Sequence, residues 1–257
     1  MPTLVTGANG LVGSRLVAQL AESGAQVLAV GRGAPRAGVA ALPGVEYVAL
    51  DLLAPGTLSA LIEAHRPRLV ALSTDYVFDG EHGPYGEDDP PNPRGVYART
   101  KRAGEEAALI LAPDRAVCRV AVIFSGRAGA KRTFAVGVAE NLLAGKAVKA
   151  FSDQLVSPTL ADNAAALVLG VARTAEQGVF HCTGASIVSR VDFCKALARK
   201  LGADETLIVP VRTADVKLPA PRPLRCGLQV SKVQRLLGEG APLLLDAALD
   251  RFLAERA

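Results

Sequence analysis

Tyr97 and Lys101 are the residues whose types and spacing most directly suggest chemistry. Residues four apart on a helix share one face, and residues 97–111 contain no proline and are predicted to be helical. A free tyrosine hydroxyl, with a pKa of roughly 10, is a poor acid at neutral pH, but a neighbouring ammonium lowers that pKa by favouring the phenolate. The pair can therefore act as a proton donor to a carbonyl oxygen. For an isolated Tyr-x-x-x-Lys, an exposed surface pair is the alternative interpretation.

A second candidate site is the glycine-rich stretch at residues 7–13, which reads Gly-Ala-Asn-Gly-Leu-Val-Gly. A phosphate can approach a helix N-terminus when no side chain blocks the backbone N–H groups. This stretch follows an apolar strand at residues 2–6 and opens an amphipathic helix. That context favours a dinucleotide pyrophosphate over a ligand-free turn. The predicted cofactor contacts in the stretch are Gly7, Asn9, Gly10, Leu11, Val12 and Gly13.

The residues after the next two strands bear on which dinucleotide would bind. The second strand, residues 26–30, ends in Gly31-Arg32-Gly33 rather than in an acid, and an arginine there suits a 2′-phosphate. We therefore expect NADP(H), with NAD(H) left open because Arg32 could also be a solvated turn residue. Asp51, after the third strand, is predicted to contact the adenine, although an acid at this place is often a helix cap.

The elements that must position these residues alternate between strand and helix. Strands at residues 2–6, 26–30, 45–50 and 68–73, with a helix at 57–65, predict an α/β fold with a Rossmann-type, doubly wound parallel sheet. Further on, the pattern predicts strands at 116–124 and 178–183 and helices at 134–144, 161–173, 191–201 and 243–255. We expect a cofactor-binding domain at residues 1–130. Residues 131–257 would mainly form a smaller C-terminal substrate lobe, with some segments returning to the core.

Composition excludes several classes of function. The 29 basic and 25 acidic residues are scattered, so a nucleic-acid partner is not expected. No apolar run approaches the roughly 18 residues of a membrane span, and no export signal is visible, so we expect a cytoplasmic protein. Four cysteines and three histidines lack the spacing of a metal site or a disulfide framework, so we predict reduced thiols and no metal.

Several motifs, taken in order along the chain, resemble one known family. They are Ser-Thr-Asp-Tyr-Val-Phe-Asp-Gly at 73–80, Tyr-Ala-Arg-Thr-Lys at 97–101, Phe-Ser-Asp-Gln at 151–154, Ser-Pro-Thr at 157–159, and Arg222-Pro223 before Leu228. Together they resemble the extended short-chain dehydrogenases/reductases that act on nucleotide sugars, most closely the dTDP-4-dehydrorhamnose reductase family. The resemblance covers nearly the whole chain.

The resemblance implies roles for the matching positions. Thr74 would orient the substrate carbonyl, Tyr97 would donate the proton, and Lys101 would bind the nicotinamide ribose and tune Tyr97. Hydride would pass from NADPH to the C4 carbonyl of a dTDP-4-keto-6-deoxy sugar, giving dTDP-L-rhamnose. Ser73, Tyr97 and Lys101 join the implied cofactor contacts. The implied substrate contacts are Tyr76, Gln154, Pro158 and Thr159. A homodimer is left open.

The chain departs from the family pattern in two places. A βα unit on the order of 30 residues, expected before the strand that delivers Ser73, is missing after Pro67. After Arg119 the chain reads Val-Ala-Val-Ile-Phe where the family commonly has Thr-Ser-Trp-Val-Tyr, and the chain contains no tryptophan. The second change leaves the preferred sugar or base open. Because of the missing βα unit, two alternatives to an active enzyme stay open. One is a catalytically silent NADP(H)-binding relative of the methionine adenosyltransferase regulatory-subunit type, and the other is a truncated inactive form.

Overall fold

The computed structural model describes residues 3–36, 38–51, 68–111, 114–127, 132–218 and 220–256. The predicted helix at 57–65 and the Pro67 junction lie outside these residues. The chain divides into two compact units, Met1–Leu69 and Val70–Ala257. The expected boundary near residue 130 falls inside the second unit.

The first unit contains a three-stranded parallel sheet and one described helix. Strands β1 (Thr3–Thr6), β2 (Val27–Gly31) and β3 (Val45–Ala49) lie in the order β1-β2-β3. Helix α1 (Leu11–Glu22) packs on β1 and β2 through its buried apolar face. Its apolar residues recur at helical spacing, which is why this segment forms an amphipathic helix. The parallel strands and the helix between them are those that the sequence predicts.

The second unit begins with another part of the α/β fold. Strand β4 (Leu69–Thr74) starts at the unit boundary and is followed by a short 3₁₀ turn. Helix α2 (Val96–Leu111) comes next, then β5 (Arg115–Val120) and β6 (Ile123–Phe124). With β10 (Gly178–His181) the sheet order is β10-β5-β4, and β10 runs parallel to β5. Helix α2 packs against both β5 and the 3₁₀ turn.

The rest of the second unit adds helices and short strand pairs. The helices are α3 (Phe134–Leu143), α4 (Ala161–Ala172), α5 (Arg190–Leu201), α6 (Ser231–Leu237) and α7 (Leu245–Ala254). The strands are β7 (Val148–Phe151), β8 (Leu155–Val156), β9 (Thr159–Leu160), β11 (Val188–Ser189) and β12 (Ile208–Val211). Parallel pairing of β7 with β12 helps to frame an apolar core around Phe124, Phe193 and Phe252.

One predicted strand is interrupted in the structure. The pattern at residues 116–124 predicts a single buried strand, but Val122 has a φ of 41°, and the chain breaks there into β5 and β6. Its carbonyl oxygen accepts a hydrogen bond from the Thr159 N–H at 3.2 Å, and β6 pairs with β9. A positive φ is unusual for a β-branched residue, so this long-range pairing overrides the local preference for a continuous strand.

None of the helices in the described part of the chain combines the length and the apolar composition that a membrane span requires.

Candidate active site

The glycine turn joins β1 to α1 at close range. Gly7 adopts a φ of 66°, and a Cβ atom on Gly13 would lie 2.2 Å from the Gly7 carbonyl oxygen. Only glycine permits this approach of the helix to the strand. The helix begins at Leu11, so the N–H groups of its first turn have no earlier helical carbonyl to bind. This turn can therefore present backbone donors and the positive end of the helix dipole to a phosphate.

Asn9 lies in this turn and holds the loop that follows β2. Its amide nitrogen donates to the Ala34 carbonyl at 3.0 Å and to the Tyr47 hydroxyl at 2.9 Å, and its oxygen accepts from the Arg36 N–H at 2.9 Å. The three bonds occupy both the donor and the acceptor side of the amide. Asn9, predicted as a cofactor contact, thus also fixes the position of the loop that carries Arg32.

Arg32 and Asp51 are exposed, as a contact to a bound nucleotide would require. Arg32 follows β2 directly, at the carboxyl edge of the parallel sheet, where ligands bind in open α/β folds. The first unit therefore offers a phosphate-binding turn and, at the adjacent strand end, a cationic side chain.

In the second unit, Lys101 lies against the end of β4. Its Nζ donates a hydrogen bond of 2.5 Å to the carbonyl oxygen of Leu72, two residues before Thr74. Burial lowers the pKa of Lys101, and the negative charge of Glu105 partly offsets that effect. The ammonium is thus half-buried and anchored to the strand that carries Ser73 and Thr74.

Tyr97 lies one turn earlier on α2, with 57% of its surface exposed. Its ring meets the ring of Tyr76 edge to face, with centroids 6.2 Å apart and an interplanar angle of 81°. Tyr76 is in the 3₁₀ turn that follows Thr74, so this contact ties the start of α2 to the end of β4. Lys101 and Tyr97 thus both contact the segment around the end of β4, through Leu72 and Tyr76 respectively, and the Tyr97 ring is largely exposed.

A buried ion pair lies beneath this face of α2. Glu105 follows Lys101 by one helical turn, and its carboxylate accepts two hydrogen bonds from Arg119 on β5, at 2.8 and 2.9 Å. Both side chains are 1% exposed, and Arg102 adds a third bond to Glu105 at 3.1 Å. Burial alone would raise the pKa of Glu105, but the hydrogen bonds and charge of Arg119 outweigh it and hold that pKa below its usual value. The pair fixes α2 on β5.

Arg119 also packs against an aromatic and histidine cluster. Its guanidinium lies 4.9 Å from the centroid of the Phe78 ring, and its Nη1 lies 3.4 Å from Nε2 of His181. The His181 side chain is fully buried, and Nδ1 lies 3.0 Å from the Gln229 carbonyl oxygen. Burial, together with the positive charge of Arg119, lowers the pKa of His181 to about 3. The imidazole is therefore neutral at physiological pH and serves the packing beneath β5.

The predicted substrate contacts lie in different surroundings. The Gln154 side chain accepts from Arg190 Nε at 3.3 Å and donates to the Thr213 hydroxyl at 3.0 Å, and only 2% of the residue is exposed. Thr159 is fully buried, and its hydroxyl donates to the Ser157 carbonyl and accepts from the Gly184 N–H. Pro158 is buried as well. Tyr76, also in this group, has a ring contact with Tyr97.

Two arginines near Tyr76 escaped the sequence analysis. Burial lowers the pKa of Arg190, and the charges of Tyr76, Arg222 and Asp75 also act on this guanidinium. Arg222 is exposed, and it lines an open groove of about 610 Å³ with the loop around Asp79–Glu81. Two positive charges beside an aromatic ring suit an anionic ligand with a ring system. Arg222 belongs to one of the family motifs but was assigned no function there, whereas Arg190 lies outside the motifs and could not be identified from its neighbours in sequence.

Asp75 and Glu105 were missed as well, although both stand in or beside the motifs that were recognised. Asp75 directly follows Thr74, and Glu105 follows Lys101 at the spacing that shares a helix face. The adjacency of Asp75 to a residue with an assigned role was a usable signal. The pairing of Glu105 with Arg119 joins residues that only the folded chain brings together.

Comparison with known protein families is consistent with this geometry. Residues 44–256 match the family described as the RmlD substrate binding domain, and residues 3–72 match the NAD dependent epimerase/dehydratase family. The two matches cover the second unit and the glycine turn, respectively.

Individual relatives agree with the family matches. The chain is 34% identical to a dTDP-4-dehydrorhamnose reductase of Mycobacterium tuberculosis over 252 residues, covering 85% of this chain and 82% of that protein. It is 36% identical to a probable dTDP-4,6-dihydroxy-2-methyloxan-3-one 4-ketoreductase of Streptomyces antibioticus, covering 87% of this chain and 85% of the relative. These alignments span 252 and 253 positions but include only 85% and 87% of this 257-residue chain, so both relatives have residues that this chain lacks.

Among solved structures, the fold is similar to that of a dTDP-4-dehydrorhamnose reductase from Bacillus anthracis in complex with NADP. The TM-score is 0.72 at 19% identity, covering 99% of this chain and all of the other. This likeness confirms the predicted Rossmann-type α/β fold. Because the family match spans most of the chain and the sequence relatives are at least 34% identical over most of their length, the chain belongs to the dTDP-4-dehydrorhamnose reductase family of short-chain dehydrogenases/reductases.

Proposed function

We propose that the protein reduces the C4 carbonyl of a dTDP-4-keto-6-deoxy sugar with NADPH, in the manner of the reductases that form dTDP-L-rhamnose. The observation that carries the proposal is the grouping of Thr74, Tyr97 and Lys101 around the end of β4, through the Lys101–Leu72 hydrogen bond and the Tyr76–Tyr97 ring contact. A hydroxyl, a phenol and an ammonium at one strand end are the groups that carbonyl reduction needs.

The first unit supplies features that fit NADP(H). The glycine turn leaves backbone donors open at the start of α1, because Gly7 and Gly10 carry no Cβ atoms and Gly13 lets the helix lie close to the strand. Arg32 provides a cation at the end of β2 for a 2′-phosphate, which supports NADP(H) over NAD(H). When bound, this cofactor supplies the hydride. Side chains of the protein itself orient the substrate and donate the proton.

Tyr97 is the proton donor in this proposal. Negative charge develops on the C4 oxygen as the carbonyl is reduced, and the Tyr97 hydroxyl donates its proton there. Thr74 orients the same oxygen by donating a hydrogen bond. Lys101, held by Leu72, places a positive charge near the phenolate that Tyr97 becomes, which stabilises it.

The nucleotide-sugar class of substrate is supported by the charges near Tyr76. The diphosphate of such a substrate carries negative charge that Arg190 and Arg222 can bind, and Arg guanidinium groups are well suited to phosphate oxygens. Tyr76 and Tyr97 provide aromatic surface beside these charges. Val122 stands where the family commonly has an aromatic residue, so we propose that this enzyme accepts sugars or bases that do not rely on stacking there.

The test is NADPH consumption with dTDP-4-keto-6-deoxy-L-mannose. We expect turnover in the wild-type protein, a loss of at least about 100-fold in kcat for Tyr97→Phe, and tighter binding of NADPH than of NADH. Tyr85→Phe is the matched control, because it removes a buried hydroxyl that bonds Asp79 at 2.6 Å and leaves the proposed acid intact. Tight NADPH binding without turnover would refute the reductase and support the silent relative. Full activity in Tyr97→Phe would exclude Tyr97 as the acid.

A further inference from the structure

Asp75 is a buried acid in direct contact with Thr74. Only 2% of the residue is exposed, and its Oδ1 lies 3.0 Å from the Thr74 hydroxyl oxygen. Its other carboxyl oxygen, Oδ2, has no hydrogen-bond partner among the residues that the structure describes. A buried carboxylate with one unsatisfied oxygen is costly, so its protonation state is sensitive to small changes in its surroundings.

The hydrogen-bonding capacity of Thr74 is limited. A threonine hydroxyl has one hydrogen to donate and two lone pairs to accept with. One lone pair of Thr74 accepts from the Tyr76 N–H at 3.3 Å, which caps the 3₁₀ turn. The single hydrogen is donated to Asp75 Oδ1 when Asp75 is ionised. In that state Thr74 has no hydrogen left for a substrate carbonyl.

We propose that Asp75, in its protonated form, is the positioning residue that frees the Thr74 hydroxyl to donate to the substrate carbonyl. Asp75 takes one proton from solvent and donates it as a hydrogen bond to the second lone pair of Thr74. The Thr74 hydrogen is then released from Asp75 and can turn to the C4 oxygen. No covalent bond other than the one O–H bond of Asp75 changes. This inference rests on the proposed function of Thr74.

The groups around Asp75 set its affinity for that proton. Burial raises the pKa of Asp75 to about 7, against the opposing effects of the Thr74 hydrogen bond and the positive charge of Arg190. Elsewhere in the chain, Cys226 directs its thiol toward the Asp75 carbonyl oxygen at 3.6 Å. Burial raises the pKa of the adjacent Tyr76, and the charge of Asp75 adds to that effect. Both forms of Asp75 are therefore populated near neutral pH, which lets protonation control Thr74 in the working range of an enzyme.

The kinetic test is the pH dependence of kcat. Loss of one preorganised donor to a developing oxyanion costs on the order of 100-fold, so the wild-type kcat should fall by about that factor between pH 6 and pH 9. In Asp75→Asn the amide N–H replaces the carboxylic O–H permanently, and the ratio of kcat at pH 6 to kcat at pH 9 should fall to about 1. An alkaline decline in Asp75→Asn equal to that of the wild type would overturn the proposal. So would an effect of the substitution on KM alone.

A second measurement does not depend on turnover. In protein with ¹³C-labelled aspartate carboxyl groups, the NMR signal that disappears in Asp75→Asn reports the titration of Asp75. Thr74→Val removes the hydroxyl that stabilises the ionised form, so the midpoint of that titration should move to higher pH. An unchanged midpoint in Thr74→Val would sink the inference. If the midpoint shifts in Thr74→Val but the wild-type protein reduces no ketosugar, the coupling of Asp75 to Thr74 stands and the proposed function is refuted.

Discussion

Replacing Arg119 by methionine tests whether the buried ion pair under α2 holds the site together. The substitution removes the two hydrogen bonds of 2.8 and 2.9 Å to Glu105 and leaves the carboxylate 1% exposed, with Arg102 still hydrogen-bonded to it. Removing one partner of a buried pair costs about 3–5 kcal/mol, because the other charge stays buried without compensation. The retained contact with Arg102 places the expected loss near the lower end, at about 3 kcal/mol.

The loss should depend on pH in a defined direction. In the wild type the pKa of Glu105 lies below its unfolded value, so its contribution to stability is present above that value and lost as the pH falls through the folded pKa. Without Arg119, burial raises the pKa of Glu105 instead, and the carboxyl group takes up a proton as the pH falls. The gap in stability between wild type and Arg119→Met should therefore be larger at pH 8 than at pH 5.5.

Urea unfolding followed by far-UV circular dichroism is the suitable assay, since the chain has no tryptophan for fluorescence. A loss of about 3 kcal/mol corresponds to a midpoint lower by roughly 1–1.5 M urea. The control is Arg132→Met, which breaks a surface pair with Glu140 whose side chains are 66% and 47% exposed, and should cost less than about 1 kcal/mol. Equal effects of the two substitutions, or a gap that does not narrow at pH 5.5, would refute this reasoning.

Three further outcomes are expected. The folded pKa of His181, about 3, lies below its unfolded value of 6.5. The free energy of unfolding of the wild type, measured in urea, should therefore decrease as the pH falls below 6.5, by up to about 1.4 kcal/mol per pH unit. The same measurement on His181→Gln should not show this pH dependence. Gly13→Ala should weaken NADPH binding at least tenfold in fluorescence titrations, because its Cβ would meet the Gly7 carbonyl oxygen at 2.2 Å. Gly104→Ala, where nothing lies within 4 Å, should leave that affinity unchanged and raise the midpoint of unfolding, with a gain of about 0.5–1 kcal/mol.

The sequence predicted those parts of the structure that depend on local patterns. Apolar runs and glycine breaks located β1, α1, β2 and β3, because strand and helix periods are visible over a few residues. The motif at residues 73–80 placed Thr74 at a strand end, and the spacing of Tyr97 and Lys101 placed both on one face of α2. Their catalytic roles remain predictions.

The rest depended on contacts between residues distant in sequence. The break at Val122 follows from pairing of β6 with β9, which no window around residue 122 contains. Strands β7 and β12 were not predicted, since each has only four residues and gains its partner from about 60 residues away. Thr159 is likewise buried where its hydroxyl accepts a hydrogen bond from the Gly184 N–H, a contact that its motif does not show.

The Asn9 amide has a consequence for how a nucleotide would bind. Because two of its three hydrogen bonds, to Ala34 and Arg36, hold the loop after β2 against the glycine turn, that loop is already arranged before any ligand arrives. A loop that ordered only on binding would subtract about 0.5–1.5 kcal/mol for each immobilised long side chain from the affinity. Here these backbone contacts form on folding, so the adenosine end of a cofactor bound as proposed would meet a preorganised loop, and Arg32 would lose conformational freedom on binding.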